Sequence, residues 1–238
     1  MSTDVRLLVV RNIQVEVVRK NIKNLHLGVY PPNGRVRVAA PLILNDEAIR
    51  LAVIEKMAWI KRQKAQFEDQ ARQSQREMVN GESHYFLGRR YRLRLHEKDA
   101  LPRVAIRGIS VLDLFIRPAS DVSQREKVLS RWYREQLRLI ISDLVKKWQT
   151  ILGVQVAEWG IKKMKTKWGS CNPRSRRAWF NLELAKVDEK CIEYIVVHEL
   201  IHLKERRHNS KYMVHLEQHF PEWKSIRARL NKHPLGIL

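Results

Sequence analysis

The chain has 238 residues, 44% of them hydrophobic and 30% charged, with a formal net charge of +21. That is enough apolar content for one large core or two modest ones, but no apolar run approaches the length of a membrane span. Two cysteines, Cys171 and Cys191, exclude a disulfide framework, and MSTDVRLLVVRNIQV lacks a leader layout and cleavage site, so a reducing, cytoplasmic setting is expected.

Strand-like segments come first, at residues 7–18, 25–29 and 35–39, and the sequence PPNG (31–34) separates the last two as a hairpin turn would. Asn45 or Asp46 then starts a long helix, EAIRLAVIEKMAWIKRQKAQFEDQ, with apolar residues at helical spacing through Leu51, Ile54, Met57 and Ile60. Residues 71–83 read as fading helix and loop. HYFLGRRYRLRL and RVAIRGISVLDLFIR are strand-like, the second turning at Gly108. No internal repeat stands out. Residues 1–120 are therefore expected as a β-rich N-terminal region with one long helix.

Residues 121–238 form the second expected domain. It opens with a long amphipathic helix stopped by Gly153. Strands at 154–163 and 178–184 flank TKWGSCNPRSRR. Asp188 can then cap a helix through EKCIEYIVVHELIHLKER, and PEWKSIRARLN gives a shorter C-terminal helix. This order of elements predicts an α+β fold.

The segment VVHELIHLKERRHNS (196–210) holds three histidines and two glutamates in a chain with nine histidines. An α-helix turns about 100° per residue, so His198 and His202 project within roughly 40° of each other, one turn apart. Two imidazoles so placed can reach one tetrahedral zinc, with Glu199 beside the metal to take a proton from water. Random order of these residues would give H-E-x-x-H in only about 0.02 chains of this composition, which disfavours a merely histidine-rich surface helix.

A third ligand is required. His208, six residues beyond His202 and past the expected helix end, is the choice; Glu205, His215, Glu217 and His219 compete. The same offset occurs in metzincins, where a glycine halfway permits the turn, but Glu205 stands there in this chain. Three histidines leave one metal position open, which favours an enzyme over a binding module with a structural zinc. Cys171 and Cys191 read as buried small hydrophobes rather than as ligands or a Cys–His nucleophile.

Residues 161–180 carry seven Lys or Arg and no acid, and Lys204, Arg206 and Arg207 follow the histidine motif. If these flank one cleft they can hold a polyanion, so nucleic acid joins protein or peptide as a candidate partner. No nucleic-acid-binding motif is legible.

MKTKWGSCN (164–172), FNLELA (180–185), VVHELIHL (196–203), HNSKY (208–212) and Pro221 together resemble the YgjP-like zinc metallopeptidase family, related to the SprT-like and WLM proteases of the zincin group. AAPLILNDEAI, AWIKRQ and YFLGRRYRL resemble the family's N-terminal layout, so the likeness covers nearly the full chain. The resemblance implies a zincin-like domain built round the H-E-x-x-H helix and hydrolysis of peptide bonds. It also implies one zinc per chain on His198, His202 and His208, with Glu199 as acid–base. In zincins an edge strand above the cleft aligns the peptide; residues 178–184 are expected in that role, with Trp168 and Asn181 near the groove. Tyr212 or His215 is expected as an oxyanion donor.

Overall fold

Period-two alternation builds the first sheet. In IQVEVVRK (β2, Ile13–Lys20) Ile13, Val15 and Val17 are buried and Gln14 is exposed, as in a strand with one face on a core. β1 (Val5–Val10), β3 (His26–Tyr30) and β4 (Arg35–Pro41) complete the order β1-β2-β4-β3, with β2 and β4 parallel and the outer pairs antiparallel. This structure, a computed structural model, describes residues 5–30, 34–69, 76–164 and 166–232. Positions 31–33 of the expected PPNG turn lie outside the described residues, as do 71–75 of the expected loop. The strand expected over 7–18 is instead a hairpin, reversed at Arg11 with φ of 52°.

The single long helix expected after residue 45 is two helices. α1 (Asp46–Glu55) is capped by Asn45, whose side chain accepts from the Ala48 N–H at 2.9 Å, and α2 (Met57–Asp69) follows an interruption at Lys56. The buried stripe is also shifted: Ile49, Val53, Met57 and Ile60 join the core of this sheet, while Leu51 and Ile54 are exposed.

β5 (Ser83–Phe86), β6 (Arg89–Glu97), β7 (Arg103–Arg107) and β8 (Val111–Ile116) form a second sheet of order β5-β6-β8-β7, again two hairpins joined by a parallel inner pair. The topology of the first sheet thus recurs without a legible sequence repeat. α3 (Val122–Leu152) starts with a capping box between Asp121 and Gln124 and ends at Gly153, with φ of 60°. Its buried residues Leu129, Tyr133, Leu137, Ile141, Val145, Trp148 and Leu152 share one core with Leu93, Leu112 and Leu114 of the second sheet. Each such large side chain contributes roughly 1.5–3 kcal/mol when fully buried. Because that sheet packs with α3, the chain divides into compact units at residues 72 and 73, upstream of the expected division at 120 and 121.

Within the second unit, β9 (Glu158–Lys162), β10 (Gly169–Asn172) and β11 (Arg177–Asn181) make a sheet of order β10-β11-β9. β10 was not expected, and the strand expected over 178–184 stops at Asn181, where Leu182–Lys186 turn as a 3₁₀ helix. α4 (Glu189–Ile201) is capped by Asp188 and ends before the expected LKER extension; α5 (Ser210–His219) and α6 (Trp223–Lys232) follow. Ile192, Tyr194, Val196, Val197, Leu200 and Ile201 are buried on several sides of α4, which marks it as a central helix. The whole is an α+β fold. Among the described residues no helix is long and apolar enough to cross a membrane.

Candidate metal centre

Two α3 donors, Lys147 Nζ and Trp148 Nε1, reach Glu193 Oε1 at 2.7 and 2.8 Å and fix α4 against α3. One turn on, His198 and His202 share a face. Beyond Ile201 the chain tightens: the Leu203 N–H donates to Leu200 O, and the N–H groups of Lys204 and Glu205 both donate to Ile201 O. No residue from 202 to 209 has a positive φ, so the reversal needs no glycine and Glu205 is tolerated. It carries His208 back over the helix, placing its Nε2 3.2 Å from Nε2 of His198. One ring nitrogen from each of His198, His202 and His208 lies within 4.8 Å of the others.

The competing third ligands do other work or lie elsewhere. Glu205 accepts at its carbonyl from His202 Nδ1–H (3.1 Å) and at its carboxylate from Asn209 Nδ2 (3.1 Å). Asn209 in turn caps α5, accepting from the Tyr212 N–H at 2.9 Å. Glu217, His215 and His219 are not in the histidine cluster.

Tyr212, expected as an oxyanion donor, is buried, lines the cleft and packs on the His198 ring. Its hydroxyl lies 2.7 Å from His198 Nδ1 and donates to the His198 carbonyl at 3.3 Å, so Nδ1–H donates to the tyrosine oxygen and Nε2 keeps its lone pair. The Glu205 carbonyl does the same for His202. Such outer partners fix the tautomer and orientation that a metal ligand needs. Burial, reinforced by the neighbouring imidazoles and Arg227, pushes His198 down to about 3; burial also lowers His202 and His208. All three rings are therefore neutral donors near pH 7. Removing only the hydroxyl, Tyr212→Phe, is expected to weaken divalent-metal affinity by about 10–100-fold with the fold retained, measured by competition with a chromogenic chelator. Unchanged affinity would show that Tyr212 does not orient His198.

Glu199 is 4% exposed, and its Oε2 is buried with no hydrogen-bond partner among the described residues. Burial pushes its carboxyl up to about 8, opposed by the Lys167 charge. An orphaned carboxyl oxygen beside three converging neutral imidazoles fits a cation with a reactive water, since a cation there would act with Lys167 to favour the carboxylate. Gly169 makes room for it: a Cβ at that position would stand 2.5 Å from Glu199 Oε1.

Gly169 belongs to β10, the outer strand of its sheet, so β10 and not β11 is the edge at the cleft. The Asn181 N–H donates to Trp168 O at 2.8 Å, and the register runs on to Gly169↔Phe180. Bonded and open pairs alternate in an antiparallel ladder, which turns the main-chain groups of Gly169 and Cys171 away from β11. Trp168 lines the cleft and also packs on the core. Asn181 is fully buried and staples the preceding loop, bonding to main-chain atoms of Met164 and Lys167, so it does not face the groove. His215 does not line the cleft either. Cys171 is half-buried at the cleft, its thiol pushed up to about 11 by burial and Glu199; buried Cys191 donates to Asp188 and is pushed up to about 12. Neither is a thiolate near pH 7.

A family model described as "YgjP-like, metallopeptidase domain" matches residues 23–233. No curated protein matches the chain. Among solved structures, the metallopeptidase zymogen of Pyrococcus abyssi abylysin is 27% identical, covering 38% of this chain and 90% of its own, with a TM-score of 0.36. That of Methanocaldococcus jannaschii jannalysin is 28% identical over 38% of this chain and 92% of its own, with a TM-score of 0.35.

Proposed function

As the chain belongs to the YgjP-like metallopeptidase family and is thus a hydrolase, we propose that it cleaves peptide bonds with one zinc ion held by His198, His202 and His208 and with Glu199 as general base. The observation that carries this is the convergence of three neutral imidazoles beside a buried carboxyl oxygen that has no partner. Three protein ligands leave a position open, whereas a structural zinc normally has four. Zinc bound there supplies Lewis-acid polarisation of the scissile carbonyl and lowers the pKa of a water toward neutrality.

The protein's own groups do the rest. Glu199 Oε2 accepts a proton from the attacking water as its oxygen bonds to the carbonyl carbon. The same carboxyl returns that proton to the leaving nitrogen as the C–N bond breaks. Outward main-chain groups of Gly169 and Cys171 align the substrate as an added strand, which places its scissile bond beside the glutamate. Tyr212 and the Glu205 carbonyl hold two of the imidazoles throughout.

Metal removal tests the reading. Dialysis against 1,10-phenanthroline is expected to reduce cleavage of a fluorogenic peptide library to background, and about one equivalent of zinc per chain to restore it. Full activity in metal-free protein would contradict it.

A further inference from the structure

The cleft holding the three histidines has a volume of about 990 Å³, at the upper end of the range for ligand sites and large enough for several residues of an extended peptide. Its lining has a lopsided charge. Lys167 enters from the loop before β10, Arg174 from the turn after it, Arg206 from the loop after α4 and Arg227 from α6. Among the described residues, Glu199 is the only carboxyl group in the lining. None of the four cations makes a carboxylate ion pair among the described residues. Two arginines outside the lining do have carboxylate partners: Arg177 pairs with Glu158 at 2.5 Å and Arg229 with Asp188 at 3.5 Å.

Lys167 and Arg227 line the same cleft as Glu199, His198, His202 and His208. The lining that includes Arg227 also contains the apolar side chains of Ile195, Met213, Leu216 and Trp223. Such surroundings strip water from an arriving carboxylate and strengthen its pairing with a guanidinium.

We propose that the cleft selects acidic peptide segments, with Arg227 and its partner cations Lys167, Arg174 and Arg206 binding Asp or Glu side chains on either side of the scissile bond. The selectivity rests on the peptidase reading above and names its substrate class. A peptide fits better than a polynucleotide because the cations share the cleft with an open strand edge and apolar lining. A strand edge reads main-chain amides, and apolar lining takes side chains.

The test uses pairs of fluorescent peptides identical except for Glu or Gln at positions flanking the cleaved bond. Zinc-loaded Glu199→Gln protein reports binding by anisotropy, and the parent reports kcat/KM on the same pairs. The Glu peptide is expected to bind, and to be cleaved, at least about tenfold better than its Gln counterpart at low salt. The ratio should shrink as salt shortens the screening length from about 30 Å at 0.01 M to about 8 Å at 0.15 M. Arg227→Gln should collapse the ratio and Arg227→Lys should largely keep it, since a lost structural role would weaken both peptides alike. Arg131→Gln, on the exposed side of α3 and away from the cleft lining, should leave the ratio unchanged.

Equal handling of Glu and Gln peptides overturns the selectivity while leaving the peptidase reading intact. Tight binding of acidic peptides with no cleavage of any peptide sinks the peptidase reading instead. A ratio that falls equally in Arg131→Gln would trace the effect to net charge and overturn the assignment to the cleft. Displacement of the Glu peptide by single-stranded DNA at lower concentrations than by unlabelled Glu peptide would make the cleft a polynucleotide groove, and so overturn the proposal too.

Discussion

Glu199→Gln is expected to lower peptide hydrolysis by at least about 10²-fold, the usual scale for loss of a general base, while zinc content and fold stay as in the parent. The amide has the shape of the carboxyl, so the close fit against Gly169 survives. It lacks the lone-pair basicity that takes the proton from water. Folding should not suffer, because burial already disfavours the ionised carboxyl, pushing it up to about 8. The sign follows from linkage: a carboxyl whose folded pKa exceeds its unfolded value binds more protons when folded. Through this carboxyl alone, metal-free parent loses stability as pH rises from about 4.5 to about 8, while the lowered His198, His202 and His208 act in the opposite sense below about 6.5. Metal-free Glu199→Gln should lack that part of the decline, which thermal melts across this range will show. A variant as active as the parent would end the case for Glu199 as base.

His202→Ala should lose both zinc and activity. Only His198 and His208 would remain, and two imidazoles do not make a tight site for zinc. The expected loss of affinity exceeds the roughly 10–100-fold that removal of an outer partner costs. A ligand at 100 times its Kd stabilises the folded state by about 2.7 kcal/mol, so the parent's melting temperature should rise on zinc addition and that of His202→Ala should not. His208→Ala should behave likewise. Retention of one zinc per chain in either variant, measured by elemental analysis, would show that the ligand set is misassigned.

The histidine and glutamate positions were legible because helical period and residue chemistry suffice for them: a spacing of four puts His198 and His202 on one face wherever that helix sits. His208 could be chosen but not fixed, since its approach depends on main-chain bonds to Leu200 and Ile201 that no residue type announces. Tyr212 was noticed, but its bond to His198 was not foreseen. Its hydroxyl meets His198 only because Asn209 caps α5, and that docking is a tertiary fact.

β10 escaped notice for a related reason. GSCN has four residues, small or polar, with no alternation to read; Gly169 is there for the carboxyl of Glu199 rather than for the strand. The break at Lys56 is equally silent, having neither proline nor glycine. The recurrence of two hairpins with a parallel inner pair leaves no trace either, because β2 and β6 satisfy the same topology with IQVEVVRK and RRYRLRLHE.

Anomalous diffraction at the zinc absorption edge, on crystals of the zinc-loaded parent, tests the central claim most directly. The account predicts one strong peak per chain about 2.0–2.1 Å from a ring nitrogen of each of His198, His202 and His208, with no fourth protein ligand and with Glu199 outside the bonding distance. A peak at any other residues, or one at the three histidines closed by a fourth protein ligand such as Cys171, would contradict it.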